Sequence, residues 1–248
     1  MTTQPTGFPA SADAWLVPDA CRVLAIGRAS ATAASRLRQA GCDVTLVEKD
    51  EAALAPLRRR LAGVSVVAGS ADALPLRPAS YDAVLITQGL HLLAPGLALA
   101  EFARVLVPGG RLALSYTTRD DSVPWVRRLA GVLQAYDPEL MTGRQVESVT
   151  ALDGCAYFPD VERRSFRMWV PISRDGMLAM IGRSPRLAAL SGAAAAQLES
   201  AVAAVYDSSA REPEPVMLPY AVQCWRSEVC QDEVTTRLTD ADGLRITL

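Results

Sequence analysis

The 248-residue chain predicts an α/β protein with a doubly wound, mainly parallel sheet. Three observations lead there. Cys21 to Glu48 reads as strand, tight loop, helix and strand, which is one βαβ unit. Short apolar runs then alternate with helical stretches at the same rhythm as far as Tyr116. Between Leu97 and Tyr116 a helix, the stop Val107-Pro108-Gly109-Gly110 and a strand follow one another directly.

Taken in order, residues 1–20 are rich in proline and small polar residues and read as a loose N-terminal arm that Phe8, Trp15 and Leu16 could pack onto the body. Arg22-Val23-Leu24-Ala25-Ile26 is a short apolar run suited to a buried parallel strand. Ala29 to Ala40 is composed of good helix formers and is stopped by Gly41. Asp43 to Val47 is β-branched and closes on Glu48. Glu51 to Leu61 predicts a helix, with Pro56 expected to shorten or kink it and Arg58-Arg59-Arg60 as charge at its C-terminus. Val64 to Val67 gives a third strand, and Gly69 to Pro78 a loop. Tyr81 to Thr87, nearly all apolar, predicts a central strand, and Gln88 to His91 follow its C-terminal end, where open α/β sheets bind ligands. Leu97 to Leu106 is an amphipathic helix and Arg111 to Tyr116 a fifth strand.

Beyond Tyr116 the rhythm changes. Helices are expected at Val123 to Tyr136, Asp175 to Ile181 and, as one long Ala-rich run, Arg186 to Tyr206. Strands are expected at Phe166 to Pro171 and within Met217 to Cys230. Glu212-Pro213-Glu214-Pro215 reads as a stiff spacer, and Asp232 to Leu248 as a terminal hairpin turning at Asp242-Gly243. The resulting division is an arm (1–20), a main domain (21–230) carrying helical additions at about 123–211, and a tail (231–248).

Half the residues are hydrophobic and the net charge is −2, so a full core is available and nothing electrostatic suggests nucleic acid or an anionic membrane. No membrane-length apolar run or signal pattern is visible, and a cytoplasmic location is expected. Five scattered cysteines without a CxxC read as small buried hydrophobes, with a Cys224–Cys230 disulfide or a reactive thiol as alternatives. One histidine and no Cys/His cluster predict no transition-metal site.

Glu48 stands about 20 residues past the first loop, where a βαβ unit of this kind holds a ribose diol. His91 is the one side chain that ordinarily titrates near neutrality, and so is the candidate general base beside a pocket-lining or structural role. Asp120-Asp121 with Glu101 suggest acid–base chemistry less than they suggest a cap, with Asp121 or Ser122 starting the next helix. Trp125, Trp169 and Trp225 are core or pocket walls.

Four stretches together resemble the class I S-adenosylmethionine-dependent methyltransferases, of the group labelled methyltransferase type 11. They are Val44 to Lys49 (VTLVEK), Ala68 to Leu76 (AGSADALPL), Ser80 to Leu92 (SYDAVLITQGLHL) and Ala100 to Leu114 (AEFARVLVPGGRLAL). Thr118 to Trp125 and Leu218-Pro219-Tyr220 more weakly resemble a bacterial branch related to trans-aconitate methyltransferases, so that the likeness covers Cys21 to Arg226. The resemblance implies a Rossmann-like sheet of seven strands, mostly parallel with an antiparallel last strand. It further implies S-adenosylmethionine as cofactor and a small-molecule acceptor. Glu48 would hold the cofactor's ribose. Gly27, Arg28 and Ala29 would form the loop beneath it, Ser70 and Ala71 would border the adenine, and Gln88 and His91 would line the pocket between cofactor and acceptor.

The first family motif, roughly VLDxGxGxG, stands here as Val23-Leu24-Ala25-Ile26-Gly27-Arg28-Ala29-Ser30-Ala31. Ala25 replaces an acid, and Ala29 and Ala31 replace glycines. At positive φ an alanine adds strain of about 1–2 kcal/mol. The Arg28 guanidinium would meet a ligand that carries a sulfonium and an ammonium, unless it turns outward or pairs with the cofactor's carboxylate. Three functions are therefore open to the sequence: methyl transfer to a small molecule, a non-catalytic methyltransferase-like subunit acting as scaffold or regulator of a protein partner, and a cleft that takes an anionic ligand. A homodimer or a protein partner is also an open expectation.

Overall fold

The structure is a computed structural model that describes residues 7–17, 22–210 and 215–234. Cys21, most of the expected spacer and the expected hairpin turn at Asp242-Gly243 lie outside the described residues.

Seven strands form one sheet in the order β3-β2-β1-β4-β5-β7-β6, mostly parallel with the β5/β7/β6 part antiparallel. The strands are β1 (Arg22–Ile26), β2 (Asp43–Glu48), β3 (Ser65–Ala68), β4 (Tyr81–Thr87), β5 (Leu106–Arg119), β6 (Glu162–Ile172) and β7 (Val216–Glu228). β1 pairs in parallel with both β2 and β4, from Val23 to Ile26 on each side. Its residues Val23, Leu24 and Ala25 are therefore sealed on both edges and both faces, as their uninterrupted apolar run requires. Arg22, at the strand's open end, instead reaches Asp82, whose carboxylate accepts from its backbone N–H at 2.8 Å and its guanidinium at 2.7 Å.

Helices α2 (Ala31–Gln39), α3 (Glu51–Arg60) and α4 (Pro95–Val105) connect the parallel strands. Asp50 caps α3 by accepting from the Ala52 N–H at 3.0 Å, and Arg58, Arg59 and Arg60 complement the dipole at its other end. Pro56 lies inside α3, which nevertheless continues to Arg60. α4 opens on Pro95 at its first turn, where a missing N–H costs nothing. The Pro-Gly-Gly turn lies inside β5 rather than before it. Tyr81 pairs with Leu106 while Ala83 pairs with Arg111, so the residues between loop out as a bulge. Gly110 is required there, because a Cβ would stand 2.8 Å from the Val107 carbonyl oxygen.

By contacts the chain divides into two compact units. One comprises Ala10–Tyr116, Arg144–Arg164 and the chain from Gln223; the other is chiefly Thr117–Gly143 and Ser165–Val222. The core of the first gathers Leu24, Ile26, Val84, Ile86, Phe102, Leu112, Leu114 and Tyr116, with Val149, Leu152, Phe158 and Trp225. The second is built on α5 (Pro124–Gln134) and α8 (Gly192–Asp207), with the short α6 (Arg174–Leu178) and α7 (Pro185–Ala188). Val126, Leu129 and Leu133 of α5 share one apolar face and cluster with Leu198, Val202 and Val205 of α8. Within it Asp137 accepts the Ser184 hydroxyl at 2.7 Å and pairs with Arg186 at 3.5 Å.

Several expectations are corrected. The N-terminal arm contains a helix, α1 (Ala10–Leu16), pinned by an Asp13–Arg36 ion pair at 2.8 Å and by Arg226 stacked 4.5 Å over the Trp15 ring. The run 186–206 is broken at Leu190-Ser191, with Gly192 at φ 60°, because Gly and Ser interrupt its Ala-rich composition. Neither Asp121 nor Ser122 caps α5. Asp120 instead accepts the Ser122 N–H and hydroxyl, and the helix opens on Pro124. A nine-residue 3-10 segment at Arg144–Leu152 has no counterpart in the sequence reading. Cys224 and Cys230 are free, and burial pushes the Cys224 thiol up to about 12, which makes it an inert core residue.

Candidate functional site

The first loop is built around one glycine. β1 ends at Ile26, and Gly27 takes φ 74° and ψ 157°, a conformation open to glycine alone, while its N–H donates to the Val47 carbonyl at 2.8 Å. A Cβ at Gly27 would meet nothing within 4 Å, so the backbone there faces open space. Arg28–Ser30 is a 3-10 turn that runs into α2. Ser30 is fully buried: its hydroxyl donates to the Ile26 carbonyl at 2.7 Å and accepts from the Thr87 N–H at 3.0 Å. Thr87 in turn donates its hydroxyl to the Ala29 carbonyl at 2.9 Å. The loop is thereby tied to the ends of β1 and β4 without further glycines. Among the described non-glycine residues only Ala79, Gln88 and Met141 have positive φ, so Ala29 and Ala31 carry none of the strain the motif predicted.

Glu48, at the end of β2, is 6% exposed. Its Oε2 accepts from the Arg28 N–H at 2.6 Å and its Oε1 from the Asp50 N–H at 2.8 Å. A carboxylate oxygen offers two lone-pair sites, so each retains one acceptor position. The Arg28 guanidinium points elsewhere: it is 70% exposed and 3.4 Å from the Asp50 carboxylate.

These groups line a cavity of about 590 Å³ at the C-terminal ends of the parallel strands. Gly27, Arg28, Ala29, Glu48, Ser70 and Ala71 all face it, as do the apolar Ile26, Val47, Ile86, Leu92 and Leu93. Lys49, Asp50 and Asp72 complete the polar part of the wall, giving two cationic against three anionic side chains. The Ser70 hydroxyl holds the Asp72 carboxyl below the usual carboxylate range. The segment carrying them is braced from α4. Glu101 accepts the Leu74 N–H at 2.7 Å, and Arg104, paired with Glu101 at 2.7 Å, donates to the carbonyls of Leu74 and Leu76.

Gln88 and His91 are not among the cavity's lining residues. Gln88 has φ 54° and donates its N–H to the Ser115 carbonyl at 2.9 Å, a strained residue at the end of β4. His91 lies on a 3-10 turn (Leu90–Leu92), exposed, with Nδ1 3.5 Å from the Tyr116 hydroxyl. Lining residues that the sequence reading did not name as site candidates include Lys49, Asp50, Asp72, Leu92 and Leu93. Asp72 was within reach, since it lies in the Ala68 to Leu76 stretch two residues after Ser70. Among the described residues no group of His, Cys, Asp and Glu could hold a metal ion, and no helix is long and apolar enough to cross a membrane.

Residues 24–114 match the methyltransferase-domain family. An uncharacterised methyltransferase of Mycobacterium tuberculosis is 40% identical over 127 residues, 51% of this chain and 52% of that protein. A demethylmenaquinone methyltransferase of Beutenbergia cavernae is 33% identical over 116 residues, 46% of this chain and 48% of its own. The chain thus spans about half the length of the curated relatives it matches. A solved structure from Anaeromyxobacter dehalogenans, provisionally described as a type II methyltransferase, shares the fold. It has a TM-score of 0.65 and 21% identity, over 89% of this chain and 96% of that one.

Proposed function

We propose that the protein transfers a methyl group from S-adenosylmethionine to a small molecule, a reading supported by the match of residues 24–114 to the methyltransferase-domain family. The observation that carries this reading is Glu48. It is a buried carboxylate at the end of β2, with one acceptor position left on each oxygen, beside a cavity of about 590 Å³. That volume is within the range of small-molecule sites, roughly 300–1,000 Å³. A vicinal diol can donate to two acceptor oxygens, and the Arg28 and Asp50 N–H groups fix the orientation of the Glu48 carboxylate that carries them.

The rest of the wall fits the same ligand. Gly27 exposes backbone where a side chain would stand, Ser70 and Asp72 offer polar edges, and Ile26, Val47, Ile86, Leu92 and Leu93 offer apolar wall. S-adenosylmethionine, when bound, supplies an electrophilic methyl group on a sulfonium. The protein's own part is then to orient the acceptor and remove its proton, and orientation supplies most of the rate in reactions of this kind. His91, just past β4, is the proton acceptor in this reading.

The expectation of a non-catalytic subunit rested on the damaged first motif (Ala25, Ala29 and Ala31, with lost contact and strain) and on repulsion by Arg28; the strain and the repulsion are what the geometry removes. Neither alanine is strained, and the Arg28 charge is exposed and paired with Asp50. Calorimetric titration with S-adenosylmethionine and S-adenosylhomocysteine tests the proposal. Wild type should bind both, and Glu48→Gln should bind about 10-fold or more weakly, as expected for hydrogen bonds to a charged group. A wild-type protein that binds neither would overturn it.

A further inference from the structure

Tyr116 has no role in the cavity, yet its hydroxyl is placed between His91 and Ser148 in a core position only 1% exposed. The direction of each hydrogen bond in this chain follows from counting protons. Ser148 Oγ lies 2.7 Å from the Gln145 carbonyl, which can only accept, so the serine proton is committed there. Tyr116 Oη lies 2.9 Å from Ser148 Oγ and must then donate to it. The tyrosine oxygen is left with lone pairs alone, and it is these that face His91 Nδ1 at 3.5 Å. A ring nitrogen facing a lone pair is favoured when it carries the hydrogen.

We propose that Tyr116, itself oriented by Ser148, is a positioning residue that holds His91 in its Nδ1–H tautomer and leaves Nε2 with the free lone pair. This rests on the role given to His91 above and adds the proton inventory that makes it a base at one defined atom. When the acceptor's O–H or N–H bond breaks, its proton goes to Nε2. The ring becomes an imidazolium whose second hydrogen stays on Nδ1 toward the tyrosine oxygen, and the Nε2 proton is afterwards released to water. A contact of 3.5 Å is long for the resting state and leaves room to tighten once an acceptor is bound.

The residues that frame this contact pack into one core. Trp225 packs edge-on against Tyr116 with centroids 6.2 Å apart, and Leu90 belongs to the same apolar cluster as Val149 and Leu152. The turn that carries His91 and the 3-10 segment that carries Ser148 are therefore anchored in one core.

His91 is the only histidine in the chain, so its ring nitrogens give one unambiguous set of signals in long-range 15N–1H spectra. Recorded on the neutral ring in alkaline buffer, wild type should show the Nδ1–H form as the major tautomer. Tyr116→Phe removes the acceptor and should move the ring toward a mixture enriched in Nε2–H. Ser148→Ala should go further, since Tyr116 regains a proton to donate to Nδ1 and Nε2–H becomes the major form. Ser148 is on a partly exposed turn, so this second variant keeps the test in force if Tyr116→Phe fails to fold. Wild type with Nε2–H as the major form, or an unchanged tautomer ratio in Ser148→Ala, would overturn the proposal. No methyl donor is used, so a protein that shows these tautomers but fails the calorimetric test loses its assigned reaction and keeps this proton arrangement.

Discussion

Ala29 and Ala31 show at the scale of single residues where sequence reasoning reached and where it stopped. The motif was read as needing three glycines, but a left-handed backbone is demanded only at Gly27, and Ser30 and Thr87 supply the remaining ties through side-chain hydrogen bonds. A resemblance names residue types; it does not report the φ each position takes. Restoring the family glycines should therefore do harm. Ala31 is fully buried at the first residue of α2, and Ala29 lies in the 3-10 turn before it. Replacing both by glycine adds freedom to the unfolded chain and removes a packed methyl, at a cost of about 1 kcal/mol per helical site. Urea denaturation of Ala29→Gly/Ala31→Gly should show a loss of stability, and a gain would mean that the loop is strained after all. Glu48 was legible for the opposite reason, since its spacing from the loop is set by the length of one βαβ unit and needs no conformational detail.

At the scale of elements, the loop between β3 and β4 was legible as a loop and as a family stretch, but not in what orders it, because prolines and small residues specify no period. Its order comes from α4. Glu101 and Arg104 sit one turn apart, bond each other at 2.7 Å, and reach across to Leu74 and Leu76 with three bonds between 2.7 and 3.1 Å. The guanidinium beside Glu101 holds its carboxyl below the ordinary 4.5, and the Leu74 N–H adds to this. A carboxyl with a depressed folded value contributes stability that is fully present above pH 4.5 and is lost as pH falls through the lower folded value. Glu101→Gln should thus lower stability at neutral pH by about 1–2 kcal/mol, at the low end for charged hydrogen bonds because the pair is partly solvated. It should also flatten the decline of stability below pH 4.5. The variant should bind S-adenosylmethionine more weakly too, since Ser70, Ala71 and Asp72 belong to the segment it releases. Acid titration of unfolding with unchanged slope between pH 4.5 and 3 would remove Glu101 from this role.

At the scale of the whole molecule, the alternation of strand and helix made the parallel half of the sheet readable, whereas the chain after Tyr116 was readable only in pieces. The reason is physical. A buried parallel strand must be apolar throughout, but β6 has Glu162, Arg163, Arg164, Ser165 and Arg167 exposed, so its partners are set by the fold and leave no run in the sequence. The same region explains why the two compact units should not behave as two domains. β5, β6 and β7 each begin in one unit and end in the other, so neither set of residues is a continuous chain with its own strands complete. Separate unfolding of either would require strands to be half formed, with backbone N–H and C=O groups left unpaired in a core. Denaturation followed by tryptophan fluorescence and by far-ultraviolet circular dichroism should therefore give one coincident transition. Saturating S-adenosylmethionine, at about 100 times its Kd, should move that whole transition by about 2.7 kcal/mol, although every residue of the cavity belongs to one unit. Two resolved transitions, with the ligand shifting only one, would show instead that the continuous strands do not couple the units. The helical additions would then be free to unfold while the cofactor remained bound.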